Sequence, residues 1–287
     1  MTPNDPFKIP GPALISFSGG RTSAYMLWRI LRAHNGKLPD DVLVTFANTG
    51  KEMPQTLYFV NECSERWGVP IVWLEWEDNG HWEKDWRVVS YLEADQLGTP
   101  FKNLIDKKQE LPGPRARFCT MMLKVNVIHG YARTRLGWRE FDMVLGLRAD
   151  EPRRVSNMKN NRQIYDVVMP LATAGITKRD VQVFWDRQNF DLRLPNVGGR
   201  TAFGNCDLCF LKTAANIRTI IEADPTRAKW WIDRETEAAV VADKAHKARF
   251  RSDRPSYAAM LDAVQRQQNF DFGDRDEIID CFCGDGA

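Results

Sequence analysis

No apolar run in this chain approaches the roughly 20 residues that a membrane-spanning helix needs, so the sequence predicts a protein without transmembrane helices. Met1–Pro6 lacks the basic and apolar segments of a secretory signal, and the expectation is a cytoplasmic protein. Charge of either sign is hardly in excess. With 40 Lys and Arg against 38 Asp and Glu, general adhesion to nucleic acid is disfavoured, while a local basic patch stays open. Histidine is scarce, and His34, His81, His129 and His246 show no metal-ligand spacing. There is no G-K-[ST] to make a Walker A loop and no six-residue glycine pattern of the dinucleotide folds. Internal repeats and low-complexity segments are also missing. In a reducing compartment the six cysteines are metal ligands, catalytic thiols or core residues rather than disulfides.

What is present is a chain of 287 residues with ordinary hydrophobic content, enough for one large or two modest domains. Ala13–Phe17 is a short apolar run that breaks at Ser18-Gly19-Gly20, and Ala24, Leu27, Trp28 and Leu31 then recur with helical spacing. A strand turning through two glycines into a helix N-terminus is an anion site, because backbone N–H groups and the positive end of the helix dipole face outward. The Ser18, Thr22 and Ser23 hydroxyls add donors. An ordinary strand-to-helix turn is the competing reading of this stretch alone.

Val42–Phe46 is a second strand ending in the polar loop Ala47-Asn48-Thr49-Gly50-Lys51-Glu52. Pro54 opens a helix with Leu57, Val60, Cys63 and Trp67 on one face, so Cys63 reads as a core thiol. Ile71–Leu74 is the third strand. This alternation predicts a parallel sheet, with ligands beyond the carboxyl ends of its strands. From Glu75 to Arg117 periodicity dissolves, and the stretch reads as a functional or disordered loop. Its Trp76, Trp82 and Trp86 cover the core in the favoured reading and stack a base in the other.

After Cys119 a helix is expected with Met121, Val125, Ile128 and Ala132 on one face. Phe141–Leu147 is a further strand ending in Arg148, Asp150, Glu151, Arg153 and Arg154. Three clustered arginines suit a polyanion, and the alternative is internal pairing with Asp150 and Glu151. Tyr165–Leu171 is a plausible strand, Thr177–Asp180 a capping-box start, and 190–205 loop-like. The chain beyond Thr213 reads as mostly helical.

Cys206-Asp207-Leu208-Cys209 lets two thiolates ligate one metal or cluster. Cys119 is the candidate third thiolate, and Cys281 or Cys283 a fourth. Cys283 is alternatively a mobile thiol that visits the active site, and cannot be both. Structural zinc and an iron–sulfur cluster are both open by spacing.

Taken in order, these motifs resemble the phosphoadenosine phosphosulfate (PAPS) reductase-like branch of the PP-loop, or adenine nucleotide alpha hydrolase-like, superfamily, over roughly residues 13–212. Ser18-Gly19-Gly20-Arg21-Thr22-Ser23 is similar to S-G-G-x-D-S, with Thr22 where Asp is usual, and Asn48-Thr49-Gly50 is similar to the second-strand N/D-T-G segment. Cys119 with Lys124 resembles C-C-x-x-R-K, with Phe118 in place of the first cysteine, and Gly146-Leu147-Arg148 with Arg153 and Arg154 resembles a G-x-R…R loop.

The resemblance implies an α/β, Rossmann-like fold over residues 1–195, with a cysteine-containing, mostly helical region at 196–287. It implies an enzyme of sulfur metabolism, either an oxidoreductase of the sulfonucleotide-reductase type or an ATP-dependent sulfurtransferase. Ser18, Gly19, Gly20, Arg21, Thr22 and Ser23, with Asn48, Thr49 and Gly50, would bind the nucleotide, ATP or a PAPS-like molecule, with magnesium as a candidate companion. Arg148, Arg153 and Arg154 would neutralise moving negative charge. A 4Fe–4S cluster would sit on Cys119, Cys206 and Cys209. Cys283-Gly284 holds a place similar to the family's terminal nucleophile, although Asp285-Gly286 departs from its E-C-G-L-H-like tail. A sulfur donor or thiol reductant is the implied partner, a nucleic-acid acceptor is open, and no membrane is involved. The rival expectation is a zinc-stabilised nucleotide-binding or DNA-associated module without sulfur chemistry.

Overall fold

A computed structural model describes residues 5–160, 165–196, 201–204, 206–241 and 248–266. Six strands form one sheet: β1 (Ala13–Ser16), β2 (Val42–Asn48), β3 (Ile71–Glu75), β4 (Arg87–Val89), β5 (Asp142–Leu145) and β6 (Asp166–Val168). Their order is β4-β3-β2-β1-β5-β6, and every neighbouring pair is parallel except β3 and β4. The molecule is therefore α/β, with a mostly parallel sheet compatible with a Rossmann-like fold. Central β1 pairs with β2 on one side and β5 on the other, in register at Ala13–Ser16. Successive crossovers leave in opposite directions from this strand, which opens a crevice beyond its carboxyl end.

Helix α1 (Arg21–Ala33) follows β1 and buries Ala24, Met26, Leu27 and Ile30. Helix α2 (Pro54–Trp67) has Pro at its first turn and buries Leu57, Val60 and Cys63, so Cys63 is the core thiol its helical face predicts. Burial pushes that thiol well above its ordinary range, with Glu62 adding to the effect. The capping box at Thr177 is formed, with the Asp180 carboxylate accepting from the Thr177 N–H at 2.8 Å. It starts helix Lys178–Trp185, whose Trp185 indole donates to the Arg21 carbonyl at 2.9 Å and fastens that helix to the start of α1.

Two segments depart from the sequence reading. Between Glu75 and Arg117 the chain is ordered: it makes the edge strand β4 and helix α3 (Thr99–Lys108). Three residues of edge strand are too short to show a period, and Gly98 and Pro100 disguise the start of α3. What anchors the stretch is Glu75, fully buried at the end of β3. Its carboxylate accepts from Arg87 at 2.7 Å, from the Asp95 N–H at 2.7 Å and from the Asn48 amide at 2.7 Å. Trp76 is buried and Trp86 packs edge-on against Tyr131, as core-covering residues do, while Trp82 is half-exposed and stacks on His129.

The second departure is the helix after Cys119. Met121–Val125 and Tyr131–Arg135 adopt the wider π-helical turn, alternating with α-helical Phe118–Thr120 and Asn126–Gly130. A wider turn moves residues off the 3.6-residue phase. Ile128 and Ala132 are buried as expected, but Met121 is half-exposed.

His129 on this run is buried among Trp82, Phe141 and Tyr165. Burial, aided by Arg133 and opposed by Glu83, holds it below its ordinary 6.5. The folded protein thus keeps His129 neutral where the unfolded chain takes up a proton. Its contribution to stability is present above 6.5 and is lost as pH falls. Urea midpoints measured from pH 7 downward are expected to fall less steeply for His129→Phe than for the wild type, and equal slopes would contradict this.

One buried cluster contains Leu14 and Ala47 of the sheet together with Phe210, Ile217, Trp231, Tyr257 and Met260 from beyond residue 205. Helices Ala214–Ala223, Ala228–Val241 and Tyr257–Gln265 thus pack onto the same core as the sheet. Among the described residues no helix is long and apolar enough to cross a membrane.

Candidate functional site

The turn after β1 is built around Gly19 and Gly20. Gly19 has φ +81°, and a Cβ there would lie 2.6 Å from the Thr56 Cγ2 methyl, so the close packing of α2 requires its absence. Gly20 is extended and caps α1 with no side-chain hydrogen bond. The Ser18 hydroxyl donates to Ser23 Oγ at 2.9 Å, and Ser23 Oγ donates to the Gly20 carbonyl at 3.0 Å. Gly146, at the end of β5, lies close enough that a Cβ would be 3.2 Å from Ser23 Cα. These contacts bring the ends of β1 and β5 together at the switch point.

Arg148 crosses that junction. It is buried, and its guanidinium donates to Thr22 Oγ1 at 3.1 Å and to Asp150 Oδ1 at 2.9 Å. Glu151 accepts from the Arg148 N–H at 3.0 Å and also pairs with the Arg154 guanidinium. Burial alone would raise the Asp150 carboxyl. The Lys178 N–H and Arg148 outweigh it and hold that carboxyl below its ordinary range. The internal pairing of the arginine loop is therefore present, Arg148 with Asp150 and Glu151 and Arg154 with Glu151, while the anion-site reading belongs to the function proposed below. Arg153 is exposed and turned from this cluster's buried part. Arg21 leaves the crevice as well: its Nε donates to Asp191 Oδ1 at 2.8 Å.

Beside the turn lies a cavity of about 110 Å³. Ser18, Gly146, Lys124 and Arg154 supply its polar wall, and Phe17, Ile128, Met143, Met158 and Tyr165 its apolar one. A wall that combines cationic and hydroxyl groups with apolar and aromatic side chains suits a ligand with both an anionic group and an apolar body.

The loop after β2 faces a different direction. Asn48 is buried and fully engaged, donating to Glu75 and to the Asp95 carbonyl at 2.9 Å and accepting from the Gly50 N–H at 3.1 Å. Thr49 donates from its hydroxyl to Glu52 Oε2 at 2.8 Å, and its Oγ1 lies 3.5 Å from Cys206 Sγ. Glu52 forms a β-bridge with Cys206, and the Asp207 N–H donates to the Lys51 carbonyl at 2.7 Å. Thr49 thus touches the cysteine segment, while Asn48 is engaged with Glu75, Asp95 and Gly50.

Cys119, Cys206 and Cys209 line one small cavity with Thr49, Thr120 and Lys124. Cys206 and Cys209 are buried, and Cys119 is half-buried. Burial pushes the Cys119 thiol up to about 12, and it raises Cys206 and Cys209 as well, with Glu52 adding at Cys206. Without a bound cation these groups are thiols, and ligating one would release their protons. Two lysines balance the region. Burial pulls Lys124 down, but Glu52 at 3.3 Å and the neighbouring cysteines outweigh it, so its net shift is upward. Lys212 is lowered by burial and donates to the Ala202 carbonyl at 2.7 Å and to the Gly204 carbonyl.

Thr120 and Lys124 belong to the walls of both cavities. The slot beyond β1 and the three-thiol pocket are neighbours separated by two side chains. Cys281 and Cys283, the expected fourth ligand or mobile thiol, lie outside the described residues, as do Asn205 and His246. Among the described residues, no three His, Cys, Asp or Glu side chains are gathered around a single ion. Glu52, Lys212 and Tyr165 had no site role in the sequence reading. Only Glu52 and Lys212 carried a signal, Glu52 closing the polar loop after β2 and Lys212 lying three residues beyond Cys209.

No protein-family model matches the chain. The chain is 30% identical over 209 residues, 71% of its length and 67% of the relative's, to the uncharacterized nin region protein ORF290 of Escherichia phage lambda. It is also 36% identical over 77 residues, 27% of its length and 15% of the relative's, to the uncharacterized protein MJ0066 of Methanocaldococcus jannaschii.

Proposed function

Since the chain belongs to the family of the nin region protein ORF290 of Escherichia phage lambda, whose name carries no activity, we propose a function from the site itself. The protein is a PP-loop enzyme of the PAPS reductase-like kind. It binds an adenine nucleotide beyond β1 and carries out sulfur transfer or reduction at an iron–sulfur site on Cys119, Cys206 and Cys209. The observation that carries this reading is the shared wall: Thr120 and Lys124 line both the slot and the three-thiol pocket. A nucleotide-binding module with a remote structural metal would have no need of that adjacency.

In this reading the turn Ser18–Ser23 takes the phosphates, with backbone N–H groups of α1 as donors. Arg148 orients Thr22 and, with Arg154, offers positive charge once Glu151 gives way to the incoming anion. The apolar wall with Tyr165 receives the base.

The donor set fits a cluster in its chemistry, with three thiols around one pocket and two buried lysines to offset their negative charge once ligated. The space between them, about 20 Å³, holds no more than a water, so seating a cluster requires these side chains to open. A single tetrahedral zinc draws its thiolates to about 3.8 Å from one another, from Zn–S bonds of about 2.3 Å. A cluster is wider and takes thiolates from farther apart. When bound with only three protein ligands, it would supply an open iron able to hold sulfur.

The test is calorimetric titration with ATP and with a sulfonucleotide, followed by assay for pyrophosphate or AMP release with thiol and sulfide as co-reactants. Binding of either nucleotide, lost in Ser18→Ala/Ser23→Ala, is the expected result. No binding of any adenine nucleotide would overturn the proposal.

A further inference from the structure

We propose that Tyr257 and Trp231, on the helices beyond residue 213, are positioning residues for the three-thiol pocket, making those helices a working part of the site. The proposal rests on the reading of Cys119, Cys206 and Cys209 as one ligating set.

The Cys206–Cys209 turn has little structure of its own. Its internal bonds are the Cys209 N–H to the Cys206 carbonyl at 3.3 Å and the Leu208 N–H to Asp207 Oδ1 at 2.7 Å, and its ladder contact is the bridge to Glu52. It is held instead from two sides. On the sheet side, the Lys51 carbonyl accepts from the Asp207 N–H at 2.7 Å and the Lys51 ammonium lies 3.2 Å from the Asp207 carboxylate. On the helix side, each of the two residues between the cysteines receives one hydrogen bond. The Trp231 indole donates to Asp207 Oδ1 at 2.9 Å, and the Tyr257 hydroxyl donates to the Leu208 carbonyl at 2.6 Å.

Those two donors are themselves fixed. Both are buried, and their rings are 5.3 Å apart with Phe250 against each. Glu235 accepts from the N–H groups of Phe250 at 3.3 Å and Tyr257 at 2.9 Å, which sets the start of helix Tyr257–Gln265. Leu208 O and Cys209 N–H share one peptide unit, so the Tyr257 hydroxyl determines how that peptide, and the thiol it carries, is turned. Losing the hydroxyl while keeping the ring leaves the packing in place and frees only this orientation.

Tyr257→Phe in the full-length, metal-free protein separates positioning from stability. The readout is the rate at which iodoacetamide alkylates each cysteine, resolved by mass. Cys63 is buried in a different cluster, beneath α2, and reports opening of the whole molecule. Cys206 and Cys209 are expected to react about fivefold faster, the effect of one neutral hydrogen bond, with Cys63 unchanged. Trp231→Phe should give the same pattern. Equal acceleration at Cys63, or no change at Cys206 and Cys209, would overturn the proposal.

Anaerobic reconstitution with ferrous iron and sulfide tests the underlying reading separately. Uptake by the wild type, with an altered visible spectrum in Tyr257→Phe, supports both. A wild type that takes up no iron refutes the ligand reading and with it the functional meaning of the positioning, whatever the alkylation rates show.

Discussion

Glu52→Ala is expected to cost about 3–5 kcal/mol of stability, because it removes the carboxylate of a largely buried ion pair with Lys124. Glu52 is buried beside the three-thiol pocket. One carboxylate oxygen lies 3.3 Å from Lys124 Nζ, and the other accepts from both the N–H and the hydroxyl of Thr49, at 2.9 and 2.8 Å. Deleting it takes the carboxylate from beside the Lys124 ammonium and frees the loop that bridges to Cys206. Against a total stability of about 5–15 kcal/mol, a loss of that size brings the protein near unfolding at ordinary temperature. Glu52→Gln keeps an acceptor for Thr49 and should cost less, and Glu52→Ala/Lys124→Met should recover much of the loss by removing the charge that faced Glu52. Urea unfolding of the three variants measures the coupling, and an unrescued double variant would contradict it.

Arg148→Ala is expected to weaken adenine-nucleotide binding by about 2 kcal/mol, roughly thirtyfold in Kd, the usual worth of a hydrogen bond to a charged group. Arg148 joins the ends of β1 and β5 by donating to Thr22, and it sits where an anion's charge would be felt. Glu151 acts in the opposite sense. Its carboxylate pairs with both Arg148 and Arg154, so a phosphate must displace it. Glu151→Gln should therefore tighten binding while Arg148→Ala loosens it. Calorimetry on both variants tests the pair, and a shift in the same direction for both would contradict the account.

How much of this could be read from the sequence differs between elements, for physical reasons. β1, β2, β3 and β5 announced themselves because buried parallel strands are continuous apolar runs ended by glycine or polar loops, whereas the expected strand Tyr165–Leu171 is cut to the edge strand Asp166–Val168, with Pro170–Thr173 turning helical. The turn Ser18–Ser23 was legible for the same reason, and Cys63 fell on a clear helical face. The capping box at Thr177 was legible from two residues alone. β4 and α3 were not, since a short edge strand has no period and its anchor, Glu75, is a single buried carboxylate reached by three distant partners. The π-turns after Cys119 shifted the phase that the 3.6-residue reading assumed.

In the site, spacing suggested which cysteines could act together but could not say what surrounds them. Asn48, Thr49 and Gly50 share one loop with Glu52, and only tertiary structure turns that loop toward Cys206. The wall of Thr120 and Lys124 arises because a helix from one stretch passes between two others, a relation with no local signature. Trp231 and Tyr257 reach the Cys206–Cys209 turn from far along the chain, a relation with no local sequence signal.

The most direct measurement is purification of the full-length protein without oxygen, with iron and acid-labile sulfide determined per chain before and after ATP is added. The account predicts a brown protein with iron and sulfide in the ratio of a 4Fe–4S cluster, a spectrum that changes on ATP addition, and loss of colour in Cys119→Ser, Cys206→Ser and Cys209→Ser. A colourless protein that binds neither iron nor adenine nucleotide, or one that holds a single zinc and no iron, would contradict it.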